Sequence, residues 1–528
     1  MQPTTHATTV DATPSAWATA LAVVVCVMAT YGSIVGHGWL NWDDPVHVTA
    51  NPMLAAEDIR APLRPWLAAY RGLYIPLSYD LFWLEKVVAD RLGERPDPRL
   101  FHLVSLLLHA GAGVVVARIA ARLVTGGWPA LAAAGVFVLH PLQVESVAWI
   151  SEQRGLLATF FALVSIEQAL VHPASRWRSL AWLLAAVLAK PSAIAVVPML
   201  VAIETLFRTM PLRHAIRRSL PAALIAAVAG AGTAILQSGE TTAPWTTPWL
   251  RSVVAGDALA FYTTKLLVPA GLCIDYGRTP AVVCGSVGSW WAAAAAVVSL
   301  AAVIALPCLA TARGPVMLFV LGLSPVLGLV PFTFQGFSTV ADRYAALALL
   351  GPALAVSALT ARLPSWGQAA ATGILLIVLG FAARAQTSTW RSEEDVYGRA
   401  IAINPESVHA RVNLAVSRIE RGRPAEAVSL LEEATRLRPG DRQAHYNLGL
   451  AWHSLGRRAT AEQCYRVAIA IDPTYAVALN NLGIVFAETA RPTEAAGAFR
   501  AAIRASPDFQ AAIDNLRRVE RTQGGGPR

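Results

Sequence analysis

Two adjacent carboxylates, Asp43 and Asp44, follow directly on the first long apolar stretch of the chain, in the sequence Gly38-Trp-Leu-Asn-Trp-Asp-Asp-Pro45. Acid groups at the edge of a membrane are costly unless they line a wet cavity or do chemistry. A carboxylate here could deprotonate a hydroxyl group as a general base. The alternative is that an aspartate only caps an interfacial helix, as this residue type often does.

Three further segments carry polar groups beside apolar runs. The first holds His140, Glu145 and Arg154, and the second is Lys190, directly before a proline. The third is Arg343 in Ala-Asp-Arg-Tyr-Ala. A cation at membrane depth needs an anion, and the arginine fork suits a phosphate group. Each segment also has a purely structural explanation. His140 could mark the end of a helix, and Glu145 could pair with Arg154. Lys190 could extend along apolar surface to place its charge in water, and Asp342 could pair with Arg343.

His102 and His109 are seven residues apart and therefore on one helical face, where hydrogen bonds between packed helices explain them at least as well as a site does. The sequence has no metal-ligand spacing, so no metal is predicted, although a need for a divalent cation stays open. It also has no phosphate-binding glycine loop and no nucleotide fingerprint. If the chain uses an activated sugar, these absences favour a lipid-linked donor.

Composition indicates a membrane protein of helices. Hydrophobic residues make up 55% of the 528 residues and charged residues only 15%, and the formal net charge is +9. The basic residues lie in short clusters between apolar runs, which is typical of the positive-inside bias and excludes a nucleic-acid partner as the explanation of the charge. About eleven apolar stretches are long enough to span, or nearly so. They lie at about 16–36, 101–123, 129–147, 154–171, 177–189, 192–207, 220–237, 289–311, 314–332, 343–361 and 367–386.

The arginine clusters fit one orientation, with the N-terminus inside and the four polar segments outside. Residues 37–100 then form the first outer loop, and residues 238–288 a second one with an interfacial helix at 252–272. Cys273 and Cys284 share this second loop, where either a disulfide or two unrelated thiols fits. Residues 1–386 are predicted to form the multi-span membrane domain.

Residues 387–528 are polar and contain a strict repeat. Pro405, Pro439, Pro473 and Pro507 are 34 residues apart, and four Asn-Leu pairs keep the same period. A 34-residue period that ends in proline, with small residues where paired helices touch, predicts a tetratricopeptide α-solenoid. Full repeats are predicted at about 407–440, 441–474 and 475–508. The whole chain is therefore predicted to be all-α.

Taken together, these segments resemble the transmembrane and tetratricopeptide repeat-containing O-mannosyltransferases and their bacterial relatives in the GT-C superfamily. The resemblance is carried by Trp42-Asp-Asp with Asn51-Pro52, by Tyr74 to Leu77 and by FHLVSLLLHA at 101–110. It also includes HPLQVESVAWISEQRGLLA at 140–158, Lys190-Pro-Ser, ADRYAAL at 341–347 and the repeats. The departures are Ser105, where relatives often have Asn, and Ser-Glu-Gln before Arg154.

The resemblance implies an inverting transferase of GT-C fold that takes a mannose-like sugar from a polyprenyl-phosphate donor to an acceptor hydroxyl. Asp43 or Asp44 would be the base, with Asp43 favoured because Asp44 precedes Pro45. Glu145 would lie near the sugar or acceptor, Arg154, Lys190 and Arg343 would bind the donor phosphate, and His140, His102 and Tyr74 would support the site. The repeats would bind a protein or peptide acceptor. A bacterial inner membrane is expected, with the site and the repeats on the periplasmic face.

Two other classes of function remain open. A non-catalytic scaffold would use the helices only as an anchor for the repeats, yet one or two spans would suffice for that. A transporter or flippase would place its polar groups near the midplane rather than at one face.

Overall fold

The computed structural model of the chain describes residues 13–55, 60–93, 97–236, 247–330 and 332–524. Over these ranges the chain is helical and contains no β-strand beyond one isolated bridge between Tyr70 and Leu73. This confirms the all-α prediction. Contacts divide the chain into two compact units, Met1–Ser392 and Glu393–Arg528.

Six helices in the described part of the first unit are long and apolar enough to cross a membrane. They are Ala16–Gly36, Pro98–Leu123, Ile150–Val171, Val287–Ala305, Pro307–Val326 and Ser365–Trp390. A seventh candidate, Trp128–Leu139 with Pro141–Ala148, is bent by 49°. Trp177–Ala189, Pro191–Phe207 and Leu350–Thr360 are apolar but shorter. The chain is thus rich in apolar helices, whereas the predicted number of about eleven spans stays a prediction.

The remaining helices of this unit are more polar. Pro76–Arg91 lies in the first predicted outer loop, and Leu212–Leu236 includes the predicted stretch at 220–237. Leu250–Leu267 corresponds to the predicted interfacial helix and is not among the span candidates. Residue 237, the last of the predicted stretch at 220–237, and residues 238–246 of the second predicted loop lie outside the described residues. Cys273 and Cys284 are both free thiols, as the second of the two alternatives proposed.

Prolines set the breaks between helices, because a proline disfavours helical conformation in the residue before it. His140 is extended before Pro141, where the Trp128–Leu139 helix ends. Lys190 is extended before Pro191, so that two shorter helices replace one long one. Leu306 is extended before Pro307 and ends a helix inside the stretch predicted to run through 289–311. Each break leaves polar backbone and side-chain groups at a helix end.

Five arginines of the basic clusters between the apolar stretches contact two buried glutamates. Glu167 contacts Arg118 at 2.7 Å and Arg122 at 3.1 Å. Glu204 contacts Arg176, and Arg208 and Arg218 lie 3.7 and 3.8 Å from its carboxylate. Both glutamates are almost fully buried, so these clusters join helices as well as carrying charge.

The second unit is a row of helix pairs. Its pairs are Val408–Glu420 with Pro424–Leu437, Arg442–Ser454 with Arg458–Ile471, and Ala476–Glu488 with Pro492–Ala505. Glu393–Ile403 precedes them and Gln510–Gly524 follows. Gly449 and Gly483 allow close packing, because an added Cβ would meet the rings of Tyr465 and Phe499 at 2.6 Å.

Candidate active site

The Glu152 carboxylate is the centre of a buried ionic network. One oxygen lies 2.7 Å from Lys190 Nζ, and the other lies 3.1 Å from Arg154 Nε and 3.6 Å from Arg343 Nε. The side chain of Glu152 is only 1% exposed. The three cations that were predicted to bind phosphate therefore converge on a single acid, although they are separated by up to 189 positions in the chain.

Arg343 is bound from several directions. Its guanidinium and its backbone N–H both donate to Glu145, which is buried. The guanidinium carbon also lies 4.3 Å from the ring centre of Phe334, 5.0 Å from that of Tyr344 and 5.2 Å from that of Trp149. Cation–π contacts of this kind add to the charge pairing. Arg343 is consequently held rigidly with its charge toward the network.

The two adjacent aspartates have different environments. Asp44 is 1% exposed and accepts hydrogen bonds from Leu40 N (2.8 Å), Ser151 N (3.0 Å) and the Ser151 hydroxyl. Burial raises the pKa of Asp44 to about 6, although these hydrogen bonds oppose the shift. The Asp43 side chain is 30% exposed and accepts from Arg154 Nη2 at 3.3 Å. Asp43 is thus the accessible acid, and Asp44 ties the outer loop to the Ile150–Glu152 turn.

Hydrogen bonds from neighbouring elements hold the backbone around these side chains. The Ser78 hydroxyl donates at 2.8 Å to the carbonyl oxygen of Ala189, the residue directly before Lys190. Ala341 lies two residues before Arg343. The Tyr262 hydroxyl donates to its carbonyl oxygen and accepts from its backbone N–H, both at 3.1 Å. Tyr276 donates to Asp342 at 2.7 Å. Asp342 therefore accepts a hydrogen bond from a tyrosine beside Arg343.

The sequence predictions divide into two groups. The structure brings Asp43, Asp44, Glu145, Arg154, Lys190 and Arg343 into one network. Glu145 pairs with Arg343 and Arg154 pairs with Glu152 and Asp43, so the alternative of a Glu145–Arg154 pair is wrong.

The three residues predicted to support the site lie apart from the ionic contacts. His140 lies at the bend between the helices Trp128–Leu139 and Pro141–Ala148. Its ring nitrogens bond Leu142 N and Leu266 O, and the second bond connects the bend to the helix Leu250–Leu267. His102 is fully buried, with its ring 6.2 Å from that of His37. The Tyr74 hydroxyl donates to Trp66 O.

Sequence reasoning missed the residue at the centre, Glu152. Its position in Ser-Glu-Gln-Arg was noticed only as a departure from the relatives. The buried pair of His47 and Tyr79, joined at 3.0 Å, was also missed. Burial and the positive charge of Arg154 lower the pKa of His47 to about 4, so the imidazole is neutral at pH 7. The one signal in the sequence was an acid between apolar stretches, two residues before an arginine, and this signal does not reveal the other two cations.

A small pocket of about 40 Å³ opens beside the network. Lys190, Arg343 and Tyr344 line it together with Gly155. A Cβ atom on Gly155 would lie 2.7 Å from the Glu152 carboxylate and 3.3 Å from Lys190 Nζ, so glycine leaves the space that this ion pair occupies. Arg154 Nη1 is buried and has no hydrogen-bond partner within the described part of the chain. Two cations of the network, Lys190 and Arg343, therefore border the pocket.

The described residues contain no group of three or more His, Cys, Asp and Glu side chains arranged to hold a metal ion. The chemistry available from the arrangement is acid–base and electrostatic. An accessible carboxylate could take a proton, and three clustered cations could stabilise a developing negative charge.

Comparison with known proteins supports part of this description. A sequence model described as tetratricopeptide repeat matches residues 394–439 and 412–476. The carboxy-terminal unit consists of tetratricopeptide repeats. This confirms the prediction from the 34-residue period.

The chain is also similar to the protein O-mannosyl-transferase Tmtc2 of Drosophila melanogaster, with 34% identity over 107 residues. The match covers 20% of this chain and 11% of that relative. The chain thus spans about a tenth of the curated relative that it matches.

Several solved structures are similar to part of this chain. A crystal structure of MamA shares 24% identity with a TM-score of 0.23, covering 24% of this chain and 75% of that one. The Arabidopsis OM64 TPR domain shares 24% identity with a TM-score of 0.22, covering 22% and 96%. The first TPR of RPAP3, bound to an HSP90 peptide, shares 18% identity with a TM-score of 0.22, covering 23% and 95%. At these scores the likenesses carry no argument about function.

Proposed function

We propose that the chain is a membrane glycosyltransferase that moves a mannose-like sugar from a polyprenyl-phosphate donor to an acceptor hydroxyl on a protein. The observation that carries the proposal is the convergence of Asp43, Glu145, Glu152 and three cations from four distant segments on one ionic network. A scaffold that only anchors repeats has no need for this convergence. The partial similarity to an O-mannosyl-transferase supports the same class of reaction.

In the proposed reaction the donor phosphate binds at Arg154, Lys190 and Arg343. These side chains stabilise the charge that develops on the phosphate oxygen as its bond to the anomeric carbon breaks. Asp43 takes the proton of the acceptor hydroxyl, whose oxygen forms the new bond to that carbon. A single displacement inverts the anomeric centre and releases polyprenyl phosphate. Asp44 holds the loop that presents Asp43, and Glu145 fixes Arg343.

The proposed architecture is that of the GT-C superfamily, with about eleven spans in a bacterial inner membrane. The ionic network and the repeats would both lie on the periplasmic side. The donor would enter laterally with its tail in the bilayer, and the repeats would recruit the protein acceptor, because repeat solenoids offer extended binding surfaces.

The test is sugar transfer in membranes that contain the full-length chain, with polyprenyl-phosphate mannose and a serine- and threonine-containing acceptor peptide. We expect Asp43→Asn to lower kcat by about 10²–10⁴-fold, the usual size of general-base catalysis. Asp90→Asn is the matched control, because Asp90 is an exposed acid of the same predicted loop. Full activity of Asp43→Asn would refute the base assignment. Absence of transfer by the wild-type chain, with cellular function retained by one span plus the repeats, would favour the scaffold.

A further inference from the structure

A second cavity lies between the helices Ala16–Gly36, Pro98–Leu123 and Trp128–Leu139. It has a volume of about 480 Å³, and its walls are mostly apolar. Ala16 and Ala20 form one wall, and Ala121, Arg122 and Gly127 belong to another. A pocket of this size falls in the usual range for ligand sites.

This cavity is separate from the candidate active site. Gln153 bonds Phe101 O near the network, whereas the cavity lies at Arg118 on the same Pro98–Leu123 helix. At 1.5 Å of rise per residue, Arg118 is about 25 Å from Phe101 along the helix axis. Glu167 is displaced similarly from Gln153 along the neighbouring helix. The distance between the two sites is therefore close to the thickness of the apolar core of a bilayer, which is about 30 Å.

Two guanidinium groups give the apolar cavity a charged end. Arg118 and Arg122 both contact one oxygen of the buried Glu167, so the three side chains together carry one net positive charge. Most N–H donors of the two guanidinium groups are not used by this contact. Their side chains are 52% and 35% exposed. Trp17, which is 85% exposed, also lines the cavity, and tryptophan is enriched at the level of lipid headgroups.

We propose that this cavity binds the phosphate headgroup of an anionic membrane lipid. The phosphate would accept hydrogen bonds from Arg118 and Arg122, and the upper part of an acyl chain would lie along the alanine wall. Charge complementarity selects an anionic headgroup over a zwitterionic one, since basic pockets between membrane helices favour anionic lipids. The apolar wall selects a lipid over a soluble phosphate.

The test is native mass spectrometry of the purified full-length chain in detergent, with phosphatidylglycerol or phosphatidylcholine of identical acyl chains. We expect phosphatidylglycerol to bind the wild type at least tenfold more tightly. The variant Arg118→Gln/Arg122→Gln/Glu167→Gln should lose this preference, and it leaves no buried carboxylate without a partner. Arg313→Gln is the control, because Arg313 does not line the cavity and bonds Val303 O and Leu306 O.

A second variant protects the test against misfolding. Ala121→Leu narrows the cavity from an exposed position and leaves the three charged residues in place, so it should weaken phosphatidylglycerol binding severalfold without changing the melting temperature. Equal binding of both lipids by the wild type would overturn the proposal. Unchanged binding by the triple variant, or equally tight binding of glycerol 3-phosphate, would do so too.

Discussion

Replacing Glu152 by glutamine tests the ionic network most directly. Glutamine keeps the shape of the side chain and one acceptor oxygen, but it removes the charge and replaces the second oxygen by an NH2 group that donates. The change leaves Lys190, Arg154 and Arg343 close together without their common anion. These cations lie 2.7, 3.1 and 3.6 Å from the carboxylate, which is 1% exposed.

The expected loss of stability follows from these distances. Two unit charges 3 Å apart attract by about 5 kcal/mol at an effective dielectric constant of about 20, and desolvation offsets much of this energy. Removing one partner of a buried ion pair costs about 3–5 kcal/mol, because the remaining charge loses its compensation. We therefore expect Glu152→Gln to lower the free energy of unfolding by about 3–5 kcal/mol, measured by SDS titration in mixed micelles.

Glu204→Gln is the matched control. Glu204 is also a buried glutamate that contacts three arginines, but it belongs to a separate cluster. Both variants should be destabilised to a similar extent. Only Glu152→Gln should lower the kcat of sugar transfer by at least tenfold, because displaced cations stabilise the leaving phosphate less well. Equal stability of Glu152→Gln and the wild type would refute the network. Equal effects on kcat would refute a role of Glu152 in positioning.

Three further predictions concern single residues. The folded pKa of Asp44 is about 6 against an ordinary 3.8, so the folded state binds more protons than the unfolded state. Between pH 4 and pH 7 the free energy of unfolding of the wild type should therefore fall by about 2 kcal/mol more than that of Asp44→Asn. Gly155→Ala should lower the melting temperature and the rate of transfer, since the new methyl group crowds the Glu152–Lys190 pair at a cost of about 1–3 kcal/mol. Gly483→Ala should increase hydrogen exchange in the repeats of the full chain, because its Cβ meets Phe499, whereas Gly497→Ala meets nothing within 4 Å and should decrease exchange.

The local features of this fold could be predicted from the sequence. The 34-residue period sets the repeats because each helix pair packs mainly on its neighbours, and the breaks at Pro141 and Pro191 follow from the backbone chemistry of proline. Long-range partners could not be predicted. Ser151 binds Asp44 across 107 positions, and a single sequence contains no record of such a pairing.

The two aspartates are the clearest example of a long-range partner that could not be predicted from the sequence. The sequence favoured Asp43 on the ground that Asp44 precedes Pro45 and serves the local turn. In the structure Asp44 does accept from the nearby Leu40 N–H, but its other oxygen binds the distant Ser151. Glu152 was missed for the same reason, because its three cations are recognisable as partners only after the helices have packed.

The contact between Glu145 and Arg343 has a consequence for biosynthesis. The two residues are 198 positions apart, and ribosomes add about 5–20 residues per second. Roughly 10–40 s therefore pass between the synthesis of Glu145 and the synthesis of Arg343. During this interval the Glu145 carboxylate would have no compensating charge if it were buried. The bent helix pair that carries it must therefore stay hydrated, keep the carboxyl group protonated or be shielded by another protein. Nascent chains arrested before residue 343 should accordingly leave a cysteine that replaces the buried Ser146, beside the retained Glu145, open to a water-soluble thiol reagent. Chains arrested well beyond residue 343 should protect this cysteine.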